Sequence, residues 1–67
     1  MATLGQRVRK QREKLGLSRY QLAKDSGVDA ASVHRIENGI QTGVRVETAE
    51  KLAKVLHVLP STLLGIK

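Results

Sequence analysis

The chain has 67 residues, no cysteine, and twelve Lys and Arg against six Asp and Glu. That length allows one small domain, residues 1–67, and the absent thiols exclude a disulfide framework or a thiolate metal site. A net charge of +6 and a pI near 10.4 point to a polyanionic partner.

The first helix is expected over about Leu4–Lys14, with Leu4, Val8 and Leu15 on one face and Gly16 ending it. Ser18 caps the next helix, roughly Arg19–Ser26, with Gln21 placed to reach back in a capping box and Leu17 and Leu22 at staple spacing. Leu22 and Ala23 form its buried side. Gly27 is the residue best able to take the left-handed conformation that stops a helix abruptly. Asp29 then repeats the plan as cap of a third helix, roughly Ala30–Glu37, flanked by Val28 and Val33 and burying Val33 and Ile36. Two helices of about two turns each, joined by a tight glycine turn, make a helix-turn-helix. The second helix of such a motif enters the major groove of DNA.

Asn38-Gly39 closes the third helix, and residues 40–45 form a loop. A fourth helix is expected over about Val46–His57, with Val46, Ala49, Leu52, Ala53 and Leu56 on its inner face. Pro60 suits the first turn of a short fifth helix carrying Leu63 and Leu64, which Gly65 closes. The fold class is therefore all-α, with five helices and an aliphatic core, since Tyr20 is the single aromatic residue.

Charge distribution adds to the motif. Residues 1–20 hold Arg7, Arg9, Lys10, Arg12, Lys14 and Arg19 against Glu13 alone, +5 of the total. For an isolated helix this reads equally well as a solvated face; beside a helix-turn-helix, contact with the DNA backbone is the stronger reading. A membrane surface fits less well, because the apolar stripe is thin and no Trp or Phe anchors it. No run approaches the roughly 18 apolar residues of a membrane span, and the amino terminus has no apolar signal region, so a cytoplasmic location is expected. His34 and His57 stand far apart without carboxylates at ligand spacing, so no metal, cofactor or small-molecule ligand is expected. A catalytic role finds no support, with no Cys nucleophile and no Ser and carboxylate at informative spacing from either His.

The segments Leu15-Gly16-Leu17-Ser18, Leu22-Ala23 with Gly27-Val28, and Val33 with Ile36-Glu37-Asn38-Gly39 resemble the Cro/C1-type (XRE-like) helix-turn-helix family. Leu52-Ala53-Lys54-Val55-Leu56 followed by Val58 is similar to that family's fourth helix, so the resemblance runs from about Leu4 to Leu64. It implies a lambda-repressor-like fold and a transcriptional regulator that binds a palindromic operator as a homodimer. The chain departs from the usual pattern at four positions. Arg45 stands where Ser or Thr often caps, Val44 where Pro is frequent, His57 where Gly often ends a helix, and Leu59 where a polar cap is usual.

Base contacts are expected from the outward face of the third helix: Ala30, Ala31, Ser32, His34 and Arg35. Arg35 is the best candidate, because its fork matches O6 and N7 of guanine; a solvated helix residue is the plainer reading. Ala30 and Ala31 suit a thymine methyl but are also good helix formers. Ser32 is chemically suited to a base or a phosphate, and His34 to a contact or to simple exposure. The free amides opening the second helix, near Ser18 and Arg19, suit a phosphate, although capping alone explains Ser18. The resemblance implies further backbone contacts from Arg12, Asn38, Thr42 and Arg45, and places Arg19 at the groove edge, within reach of a base or phosphate.

Arg12 lies four residues after Val8, and Glu37 four after Val33, both on faces that otherwise build the core. Burying either charge alone is costly, so a pair is inferred, against the plainer reading of two separate half-exposed side chains. The resemblance implies a similar pair. Val55, Val58, Leu59 and Ile66 remain once Leu52, Leu56, Leu63 and Leu64 have entered the core, more than so small a domain is expected to bury. An exposed patch there suits a dimer interface, and the resembling repressors dimerise through this region. The competing function is a protein-binding module of antitoxin or coactivator type, with weak DNA binding indifferent to sequence.

Overall fold

Five helices follow one another in the computed structural model, which describes residues 3–65: α1 (Leu4–Lys14), α2 (Arg19–Ser26), α3 (Ala30–Glu37), α4 (Val46–Leu56) and α5 (Pro60–Leu64). Four of the five starts have a local cause. Thr3 caps α1 in a complete capping box: Gln6 N–H donates to Thr3 Oγ1 (3.2 Å) and Thr3 N–H to Gln6 Oε1 (2.9 Å). At α2 only half of the expected box forms. Ser18 Oγ accepts from Gln21 N–H (3.0 Å), but the Gln21 side chain donates to Asp25 Oδ1 one turn on (2.9 Å) instead of reaching back. Asp29 Oδ2 accepts from Ser32 N–H (3.2 Å) to open α3. Neither Arg45 nor Leu59 gives its helix a side-chain cap, and Pro60 opens α5 instead.

The α2–α3 turn depends on Gly27, whose φ of 77° is the left-handed conformation that β-carbon-bearing residues resist. His57 takes the same conformation without being glycine (φ 59°), so α4 stops at Leu56, one residue earlier than expected.

One core gathers the inner faces. Val8, Leu22, Val33, Ile36, Leu52, Leu56 and Leu63 are almost wholly buried, each contributing about 2 kcal/mol of hydrophobic stabilisation. Val28, Val44, Val55 and Val58 pack on its margin. The helix α1 lies against α3, α4 and α5, while α2 bridges α3 and α4. That arrangement holds α3 from behind on two sides.

Three apolar positions depart from the sequence expectation. Leu15 is exposed, because α1 ends before it and its backbone N–H folds back to Gln11 O and Arg12 O in the closing turn. Val46 is 63 % exposed, because the first turn of α4 overhangs the core and burial begins at Ala49. Leu64 is half-buried, whereas Leu63 fills the core. Gly5, which periodicity did not single out, is buried directly against the backbone of α3.

Candidate nucleic-acid interface

The orientation of α3 follows from what lies behind it. Val33 and Ile36 point into the core, so Ala30, Ala31, His34 and Arg35 are exposed on the opposite side and Ser32 sits at the edge. Past the carboxyl end, Ile40 and Gln41 N–H both donate to Arg35 O (3.0 and 3.1 Å), which folds the following loop back along the helix. Gln41 Nε2 donates to Gly43 O (3.0 Å) within that loop, and Thr42 and Arg45 stay exposed.

Glu37 ends α3 on the inner side and meets Arg12 of α1. Arg12 Nε and Nη2 donate to Glu37 Oε2 and Oε1 at 2.8 and 2.9 Å, the two-pronged geometry that a planar guanidinium forms with a carboxylate. Arg12 Nη1 also donates to Leu17 O (2.7 Å) just before α2. The side chains are 11 % and 2 % exposed. One group thus ties α1, the approach to α2 and the end of α3 together. The hydrogen bond to Glu37, opposed by burial and aided by the charges of Glu37 and Glu13, raises the Arg12 guanidinium above its ordinary value. Each of its nitrogens donates to an inward partner, which leaves two of the five N–H groups and a small exposed edge for the phosphate contact that the resemblance implies for Arg12.

Arg7 and Gln11 of α1 are structural as well. Arg7 Nε donates to Leu63 O (2.8 Å) and Gln11 Nε2 to Leu56 O (3.0 Å), satisfying carbonyls at the ends of α5 and α4 that have no helical partner. Arg9 lies 3.6 Å from Glu13 in an exposed i,i+4 pair, which is worth only a few tenths of a kcal/mol. The basic excess of residues 1–20 is therefore not one DNA-facing stripe.

Across the α2–α3 junction, Arg19 Nη1 lies 2.9 Å from His34 Nδ1, and the amide of Asn38 lies 2.9 Å from His34 Nε2. Arg35 Nη2 reaches Ser32 Oγ at 3.4 Å. Two expected base-contact residues, Arg19 and His34, thus meet on an exposed surface with Asn38, while Arg35 and Ser32, also on α3, contact each other. Tyr20, the lone aromatic residue, is 70 % exposed and lines a groove of about 470 Å³ with Ala23, Lys24, Gly27 and Ala30. Its place at the second position of α2 is the available signal, because a side chain there points away from the buried Leu22 two residues on. Among the described residues, no group of three or more acidic or His side chains is arranged to hold a metal ion. No helix among them is long and apolar enough to cross a membrane.

Comparison with known proteins gives consistent matches. A helix-turn-helix family model matches residues 8–63. The chain is 36 % identical over 64 residues to the HTH-type transcriptional regulator SinR of Bacillus licheniformis and of Bacillus subtilis (strain 168). It is 41 % identical over 58 residues to the HTH-type transcriptional repressor RghR of Bacillus subtilis (strain 168). These alignments cover 96 % and 87 % of this chain, which spans 58 % of the length of SinR and 43 % of RghR. Among solved structures, it superposes with a TM-score of 0.88 on a SinR protein/SinI protein complex, at 35 % identity, covering 92 % of this chain and 60 % of that one. The score is also 0.88 for the master regulator for biofilm formation SinR in complex with DNA, at 34 % identity, covering 91 % and 97 %. The relatives are transcriptional regulators, not enzymes.

Proposed function

Because this chain belongs to the Cro/C1-type helix-turn-helix family, we propose that it is a sequence-specific transcriptional regulator, acting as a repressor, that reads a palindromic operator as a homodimer. The carrying observation is the division of α3 into a buried side, Val33, Ile36 and Glu37, and an exposed side, Ala30, Ala31, His34 and Arg35 with Ser32 at its edge. A helix fixed from behind presents these side chains in constant register to base edges. In this reading Arg35 takes a guanine, Arg19 and His34 line the groove, and Ser18, Asn38, Thr42 and Arg45 meet the backbone. Such a regulator works in the cytoplasm, where the DNA is. The SinR complexed with DNA supports the reading.

Selecting bound duplexes from a random library tests specificity and site symmetry together. On the selected site, Arg35→Ala is expected to relax preference at one base position per half-site, costing about 1–3 kcal/mol. Arg45→Ala is expected to weaken all sequences alike and to reduce the salt slope by about one. Titrations of operator variants at several salt concentrations separate the two behaviours. An Arg35→Ala protein with unchanged base preference would remove that residue from readout.

Two copies are needed because the fold is 27 Å in its longest dimension and holds one recognition helix, whereas successive major grooves on one face lie about 34 Å apart. The proposed interface is narrower than the sequence implied. Val55 and Val58 are half-buried against the core, Leu59 is 69 % exposed, and Ile66 lies outside the described residues. So small a patch gives little affinity alone, and the pair is expected to form mainly on DNA. Sedimentation with and without the selected duplex is expected to show two copies per site for the native chain and weakened pairing for Leu59→Asp. One copy per site at equal affinity for both proteins would rule the dimer out.

The SinR protein/SinI protein complex supports the second reading, a surface that binds a protein partner. Weak binding without sequence preference in the library selection would favour it.

A further inference from the structure

The contact between Arg19 and His34 carries a consequence for how DNA is read, and it rests on the recognition role of α3. Arg19 opens α2 and His34 lies in the middle of α3, and both side chains are exposed. A guanidinium carries only donors, so at 2.9 Å the Nδ1 of His34 must be the acceptor. A neutral imidazole that accepts at Nδ1 holds its proton on Nε2 and donates there. Asn38, which caps the carboxyl end of α3, places its amide nitrogen 2.9 Å from His34 Nε2 and 3.3 Å from Nδ1. A group that near to both ring nitrogens lies over the ring and not in its plane, so Asn38 packs on the imidazole and the tautomer follows from the Arg19 contact.

We infer that His34 is a positioning residue for Arg19: its Nδ1 holds the guanidinium beside α3 before DNA arrives. Arginine is among the side chains that lose most rotamer freedom when they bind, and a contact made beforehand lowers that loss. A guanidinium held at the groove edge reads a base; the same group left free reaches whichever phosphate is near. Base reading by Arg19 is, in this inference, a property of the pair across the α2–α3 junction. Arg19 and His34 are 15 residues apart in sequence, so neither helix alone would display it.

The test compares the native chain with Arg19→Ala, His34→Ala, His34→Asn and the Arg19→Ala/His34→Ala double variant. Each is titrated with single-base variants of a duplex selected from the random library. Because both side chains are exposed, all four variants are expected to fold. His34→Ala should reduce discrimination by roughly five- to tenfold at the same base pair that Arg19→Ala affects, the lower part of what one arginine–base contact supports. The double variant should be no worse there than Arg19→Ala, and His34→Asn, whose Oδ1 takes the place of Nδ1 and can accept the same hydrogen bond, should restore part of the loss. In the free protein, ring ¹⁵N resonances should report the Nε2–H tautomer natively and a shift toward the mixed state in Arg19→Ala. Additive losses, losses at different base pairs, or ring resonances indifferent to Arg19→Ala would each overturn the inference. If the native chain itself lacks base preference, specific recognition fails first, an outcome distinct from a selective protein whose His34→Ala variant reads DNA unchanged.

Discussion

Glu37→Gln is expected to lower the stability of the fold by about 3 kcal/mol, a large part of what a chain this small has available. The substitution keeps shape and volume but leaves the Arg12 charge without its counter-ion in a site where the arginine is 11 % exposed and the glutamate 2 %. Water is nearly absent there, so it cannot replace the lost partner. Arg12→Leu is expected to cost a similar amount, because a buried carboxylate is then stranded. Replacing both by apolar residues removes both desolvation costs, so Arg12→Leu/Glu37→Leu should lose clearly less than the singles added together. The raised guanidinium value gives the expected sign with pH. Stabilisation through Arg12 is fully present below the unfolded-state value and is lost only on rising through the folded one, in strong alkali. A double-mutant cycle by denaturant melts checks the coupling. Simple additivity would show that the two charges do not interact, despite two hydrogen bonds at 2.8 and 2.9 Å.

Gly5→Ala is expected to destabilise by about 2 kcal/mol, although alanine is the better helix former by about 1 kcal/mol. A β-carbon at Gly5 would lie 2.1 Å from Ile36 O, 3.1 Å from Ile36 C and 3.2 Å from Glu37 Cα. These are backbone atoms of α3, which have no rotamer to turn away. The helices α1 and α3 must therefore separate, which loosens Ile36 and stretches the Arg12–Glu37 pair one residue on. Because α3 is also the proposed recognition helix, the remaining folded protein should bind its selected duplex more weakly. Gly43→Ala is the control, since its β-carbon meets nothing within 4 Å and its φ is not in the left-handed region. Thermal melts of the two variants decide the matter. A Gly5→Ala protein as stable as the native one would show that α1 and α3 part without cost.

What the sequence determined by itself is local. Ser18, Asp29 and Gly27 govern backbone within three or four residues of themselves, so their side-chain hydrogen bonds and the left-handed turn were legible before any tertiary contact was known. Helical period likewise put Val33, Ile36, Leu52 and Leu56 on inner faces, because 3.6 residues per turn is a property of the chain alone. From the same period, Arg12 and Glu37 could be placed on those faces and their need for partners stated.

What tertiary structure decided depends on how far helices overlap and which atoms meet across them. Periodicity gives the direction a side chain points but not where the core ends, so Leu15 and Val46 were assigned inward and lie outward. The closeness of α1 to α3 at Gly5 is a property of two helices crossing, which no local spacing encodes. Arg7 belongs to the basic run of residues 1–20, and no local spacing marks Gln11. They close the ends of α5 and α4 across 56 and 45 residues of chain, because unpaired helical carbonyls happened to fall within their reach. The half-formed capping box at α2 has a related cause: Gln21 had two local partners in range, and the carboxylate of Asp25 won over the backbone amide of Ser18. Local chemistry thus made the helices and their ends, while the packing of one helix on another decided which charges face outward and which hold the fold together.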